Sequence, residues 1–192
     1  MLMRILTTTM LTLLATPVFA DTWVISPGGG ELVFVSKAPM ETIVGKSDQV
    51  SGTITLDPAR VVDSVSVHIE INMASLDTGK EKRNRHMREN HLETEKYPIA
   101  VFDGATVVQP RGVTLETEKE IAFDVVGTLD LHGVKRRLSA KVKVKRTSDG
   151  SLEFEAKFPI VLSDYEISRP KFLFLKLNET QDVTVKATAR RQ

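Results

Sequence analysis

From residue 21 onward the chain alternates between apolar and polar positions. Ile121, Phe123, Val125, Gly127, Leu129 and Leu131 fall on one side of a two-residue period; Ala122, Asp124, Val126, Thr128 and Asp130 fall on the other. That pattern predicts a long half-buried strand. His132-Gly133 then turns the chain, and Leu138, Ala140, Val142 and Val144 alternate with Ser139, Lys141 and Lys143. After the turn signal Ser148-Asp149-Gly150, the apolar set is Leu152, Phe154, Ala156, Phe158 and Ile160. Three consecutive antiparallel strands follow from this spacing.

The N-terminal half behaves alike. Val50, Gly52, Ile54 and Leu56 share a face, as do Val65, Val67, Ile69, Ile71 and Met73, with Asp57-Pro58 breaking the chain between them. Shorter strand candidates cover 32–37, 99–108 and 182–188. The expected fold is all-β: an extended antiparallel barrel of about eight strands, each with one apolar and one water-facing side. The segment 77–91, DTGKEKRNRHMRENH, breaks the period. Its helix-forming residues and lack of proline predict a short exposed helix or helical loop covering the strands.

Composition refines this reading. The first twenty residues place a basic Arg4 before an apolar run and end in Val18-Phe19-Ala20. This is a signal-peptide pattern, too short to span a bilayer, with cleavage expected after Ala20. Residues 21–192 then form one domain. Of 26 basic and 25 acidic residues only Arg4 lies in the leader, so 21–192 is formally neutral. Such balance argues against nucleic acid as a partner. There is no cysteine, hence no disulfide, and no second apolar run of membrane-spanning length.

Candidate chemistry is sparse. His86 and His91 stand five apart, off the spacing that stacks side chains on one helical face, and no metal-ligand spacing surrounds them. A metal-dependent hydrolase using this pair is the weakest of three readings. His68 alternates outward. Gly28-Gly29-Gly30 lacks the context of a phosphate loop, and Asn178-Glu179-Thr180 is a short sequon. Lys80, Lys82, Arg83, Arg85 and Arg88 are balanced by Glu81, Glu89, Glu93 and Glu95, which reads as a solvated face. No catalytic residue, metal or cofactor is assigned.

The apolar faces carry more information. Phe34, Val67, Ile69, Phe102, Phe123, Val125, Leu129, Phe154, Phe158, Phe172 and Phe174 fall on or beside the strand candidates. An eight-stranded barrel is just wide enough to be filled by side chains or to hold one small ligand. The residues leave both outcomes open: a packed structural or partner-binding barrel, or one in which this set lines a lumen.

Several blocks resemble the YceI-like family. They are Gly45 with Val50-Ser51-Gly52-Thr53-Ile54-Thr55-Leu56-Asp57, then Ser75-Leu76-Asp77-Thr78-Gly79 with Arg83, His86-Met87-Arg88, Lys96-Tyr97-Pro98 and Phe102. Gly127-Thr128-Leu129-Asp130-Leu131-His132-Gly133-Val134 and Ser163-Asp164-Tyr165-Glu166-Ile167 follow in order. The resemblance spans 21–192. It implies a lipocalin-like barrel in the bacterial periplasm, holding a polyisoprenoid or similar long apolar lipid, without enzymatic activity and in some members dimeric. It also implies that 77–92 is a helical cover and that His132 is structural. Two stretches depart from the family pattern: Ile25-Ser26-Pro27-Gly28-Gly29-Gly30-Glu31, and His91-Leu92 in place of an aromatic pair.

Overall fold

The computed structural model describes residues 20–38, 41–61, 65–109, 114–172 and 175–192. The expected signal segment, 1–20, lies outside them except for Ala20. The strands are β1 (Asp21–Ile25), β2 (Gly30–Lys37), β3 (Thr42–Ser47), β4 (Val50–Leu56), β5 (Ser66–Asn72) and β6 (Ile99–Gln109). After them come β7 (Glu120–Leu131), β8 (Val134–Arg146), β9 (Leu152–Val161), the short pair β10 (Lys171–Phe172) and β11 (Leu175–Lys176), and β12 (Thr180–Arg191). Among the described residues a ten-residue α-helix, α1 (Glu81–Asn90), lies between β5 and β6.

These strands form a closed eight-stranded antiparallel barrel, because four short ones join into two long ones. β12 pairs with β2 from Val35↔Asp182 to Gly30↔Ala187, and with β1 at Val24↔Arg190 and Trp23↔Arg191. β1 and β2 are therefore one strand interrupted by Ser26-Pro27-Gly28-Gly29. β3 pairs with β2, while β4 pairs with β1 and β5. The ring then runs β5-β6-β7-β8-β9-β12 and closes on β1. The alternation read from the sequence is the alternation observed: along β7, Phe123, Val125, Leu129 and Leu131 are buried, whereas Asp124 and Thr128 are exposed.

The β7–β8 turn is made by His132 and Gly133, with φ of 54° and 75°. Two consecutive positive φ values match the twist of a tight hairpin. The non-glycine residue is held there because His132 Nδ1 donates to the Tyr165 carbonyl (3.0 Å), and the Tyr97 ring packs on His132 at 4.5 Å between centroids.

One half of the barrel is filled. Trp23, Ile25, Val50 and Leu152 are at most 1% exposed, and Trp23 Nε1 donates to the Gly150 carbonyl (2.9 Å). Val61 and Leu115, both buried, come from connecting segments, and these segments are joined by Leu115 N–H to the Pro58 carbonyl (2.8 Å). At the other end β3 leaves β5 without a strand between them. The segment after β5 fills part of that gap, since Lys46 and Asp77 exchange backbone hydrogen bonds at 2.8 Å each. Helix α1 hangs from this segment.

Candidate functional site

The helix is placed by one buried amide. Asn84 Oδ1 accepts from Thr78 N–H (2.8 Å) and Thr78 Oγ1 (2.7 Å), and Asn84 Nδ2 donates to Asp77 Oδ1 (2.7 Å). Asp77 also caps the Gly79 N–H (2.7 Å), and that hydrogen bond, with Asn84 second, holds its carboxyl below the usual range. Glu81 in the first turn and Arg88 in the last complement the helix dipole. Arg88 Nη2 adds a bond to the Leu76 carbonyl (3.2 Å). Met87 and, beyond the helix end, Leu92 turn inward and pack against the core.

Below α1 the barrel is open. A cavity of about 960 Å³ lies between the helix and the filled half. Its wall is made by Leu32 and Phe34 on β2, Ile71 on β5, Leu129 and Leu131 on β7, Phe158 and Ile160 on β9, and Val183 on β12. Met73, Leu76, Met87, Leu92, Leu162 and Ile167 close it from the helix side. Phe34 can lie flat there because Gly45 stands opposite on β3, where a Cβ would collide with its ring. Three buried neutral polar side chains interrupt the wall, Ser36, Thr78 and Gln181. Charged side chains lie at the mouth: Lys80, Lys82, Arg83 and Arg85, with Glu41 and Glu89. Arg83 Nη1 (2.9 Å) and Lys80 Nζ (3.2 Å) both donate to Glu41 Oε1, which lowers the Glu41 pKa.

Of the residues expected to line a lumen, Phe34, Leu129 and Phe158 face this cavity. Ile69, Phe123 and Val125 are buried elsewhere, in the filled half, and do not line it. Val67, Phe102 and Phe154 are half-buried against that same core. The Phe172 side chain and Phe174 lie outside the described residues. Strand periodicity identifies the face of a residue but not its height along the barrel. Hence the sequence reading missed Ile71, Leu131 and Ile160, each two positions further along the same faces as Ile69, Leu129 and Phe158. Val183 was on a recognised strand but was not singled out.

The histidines do little together. The His86 and His91 rings meet edge-on at 4.9 Å, and His91 Nδ1 is hydrogen-bonded to Ser168 Oγ (2.9 Å). Burial, with His86 second, pushes the His91 imidazole below its ordinary pKa. Among the described residues no three His, Asp or Glu side chains converge in a metal-holding arrangement. His68 is on the outer face, as its alternation indicated. Its Nδ1 donates to Asp103 Oδ1 (2.6 Å) and its Nε2 to Glu70 Oε1 (3.1 Å), and both bonds raise its pKa, Asp103 the more. No described helix is long and apolar enough to cross a membrane.

Known proteins share this architecture. Protein YceI of Escherichia coli is 30% identical over 131 residues, covering 65% of this chain, and the match spans 63% of that relative's length. A polyisoprenoid binding domain from Saccharophagus degradans, implicated in plant cell wall breakdown, superposes with a TM-score of 0.69 at 20% identity, covering 88% of this chain and 98% of that one. BcnA of Burkholderia cenocepacia does so with a TM-score of 0.70 at 17% identity, covering 85% and 98%. At those identities the structural likeness is one of fold. The YceI-like domain itself matches residues 23–189. With the eight-stranded ring and the helix over its open end, this match places the chain in the YceI-like family.

Proposed function

We propose that this protein binds one long apolar lipid chain, of isoprenoid type, in the open half of its barrel and shields it from water without transforming it. The observation that carries the reading is the cavity of about 960 Å³ with an apolar wall. Sites for single organic ligands run from about 300 to 1,000 Å³, so this cavity is at the large end and has room for a long chain. Burying about twenty methylenes at about 0.8 kcal/mol each favours binding by at most about 16 kcal/mol. Loss of translational and rotational freedom removes about 4 to 15 kcal/mol of that. Apolar burial alone therefore supports useful affinity, and cavity length and shape set specificity. The isoprenoid assignment draws on the ligand class named for the Saccharophagus degradans domain. The signal-peptide pattern in the sequence of 1–20 supports export, and the periplasm is where a lipid crossing between membranes needs such shielding.

The test is native mass spectrometry, with solvent extraction, of protein purified without detergent. A hydrophobic molecule of one mass class, bound one per chain, is expected. Protein that comes away empty and fails to take up any long-chain lipid after delipidation would leave the reading without support, and a barrel serving only as a scaffold would replace it.

A further inference from the structure

We infer that the cavity selects amphiphiles whose head is an anionic oxyacid, a carboxylate or phosphate monoester, held at the mouth by Lys82 and Arg85 of α1. The inference deepens the lipid-binding reading and rests on it.

The first step is topological. Trp23, Val50 and Leu152 fill the far half of the barrel, so among the described residues the cavity is reached from the side of α1. The head of any single-tailed amphiphile must then stop beside that helix. The second step is electrostatic. The charged side chains at the mouth are Lys80, Lys82, Arg83 and Arg85 against Glu41 and Glu89, an excess of positive charge. Glu41 is engaged by Lys80 and Arg83 together. Lys82 and Arg85 are three apart on the helix, so they project from neighbouring positions of one face. Neither side chain has an ion pair or hydrogen bond among the described residues. Uncompensated positive charge above a low-dielectric wall attracts an anion more strongly than the same charge on a convex surface. The charged segment that reads as a solvated face in the sequence is thus placed at the rim of an apolar cavity.

The experiment compares four sixteen-carbon ligands on the delipidated full chain: hexadecanoic acid, hexadecyl phosphate, hexadecanol and hexadecylamine. Affinities come from displacement of a fluorescent long-chain probe at low and at high salt. The acid and the phosphate are expected to bind about tenfold more tightly than the alcohol at low salt, with the amine weakest and the differences shrinking as salt screens the mouth. The order of acid and phosphate identifies which oxyacid is preferred. In the double variant Lys82→Glu/Arg85→Glu, the acid is expected to lose at least that factor while the thermal midpoint stays unchanged. Equal binding of all four ligands overturns the head-group inference and leaves lipid binding intact. So does a charge reversal that weakens acid and alcohol alike. Failure of all four to bind overturns the lipid-binding reading itself.

Discussion

The two ends of this barrel are built from the same strands with the same alternation, yet one is solid and the other hollow. At the solid end the connecting segments contribute apolar side chains to the interior. Val61 follows β4, Leu115 precedes β7, and the two segments are hydrogen-bonded to each other. Trp23, the one tryptophan, adds its ring from β1. At the hollow end the connection after β5 arches over the opening. Its helix is mostly charged, and the apolar side chains that it and the residues just after it turn toward the core are Met87 and Leu92. An eight-stranded barrel stands at the size where either outcome is allowed. What decides between them here is the chemistry of the connections.

Truncation at the solid end gives the largest expected effect. Trp23→Ala leaves a void where no solvent enters and deletes the bond to Gly150, and it is expected to cost about 3 to 5 kcal/mol in a denaturant titration. The paired substitutions Val125→Trp and Val183→Trp sharpen the contrast, since the starting and final residues are the same. Val125 lies in the solid half, so the ring overpacks it, at about 1 to 3 kcal/mol or more. Val183 faces the cavity, and there the ring is expected to cost under about 1 kcal/mol in delipidated protein while reducing lipid uptake. Equal losses of stability at the two sites would erase the distinction between the ends.

Asn84→Ala acts only at the hollow end. It leaves the Thr78 N–H and the Asp77 carboxylate short of partners, and about 1 to 3 kcal/mol is expected. Hydrogen exchange should show the loss concentrated in 77–92, with β1 and β4 still protected. The smallest effects are those of pH. The folded-state pKa of His91 is depressed, so the unfolded chain takes up the proton first as pH falls below about 6.5, and stability is lost through that window. His91→Gln is expected to flatten the slope of Tm between about pH 7 and pH 5. His68 has the opposite sign: its folded-state pKa is raised, so its contribution is full below about pH 6.5 and disappears as pH rises through the elevated value. It is solvent-exposed, so His68→Gln is expected to change stability at acid pH by less than about 1 kcal/mol.

Much of this was legible in the chain. The faces of β5, β7, β8 and β9 follow from a two-residue period, and α1 from a charged run rich in helix formers. The filling of one end was not. Trp23 sits in a five-residue strand too short for its period to register, and β1 and β2 join only because both pair with β12 across the break at 26–29. The site was legible in its faces and illegible in its depth. Leu129 and Val125 are four residues apart on one face of β7, yet the first lines the cavity and the second lies in the solid core. Local alternation is identical for both, and the difference arises from residues distant in sequence.

On the proposed function, lipid enters one half of the barrel and stops at the other. Methyl-selective NMR of the delipidated protein, titrated with a long-chain lipid, tests it most directly. The methyl signals of Leu131, Ile160 and Val183 are expected to shift or broaden on binding, while those of Val50, Leu152 and Ala189 hold their positions. Perturbation spread evenly over both sets, or confined to the second, would mean that lipid does not stop at the filled half.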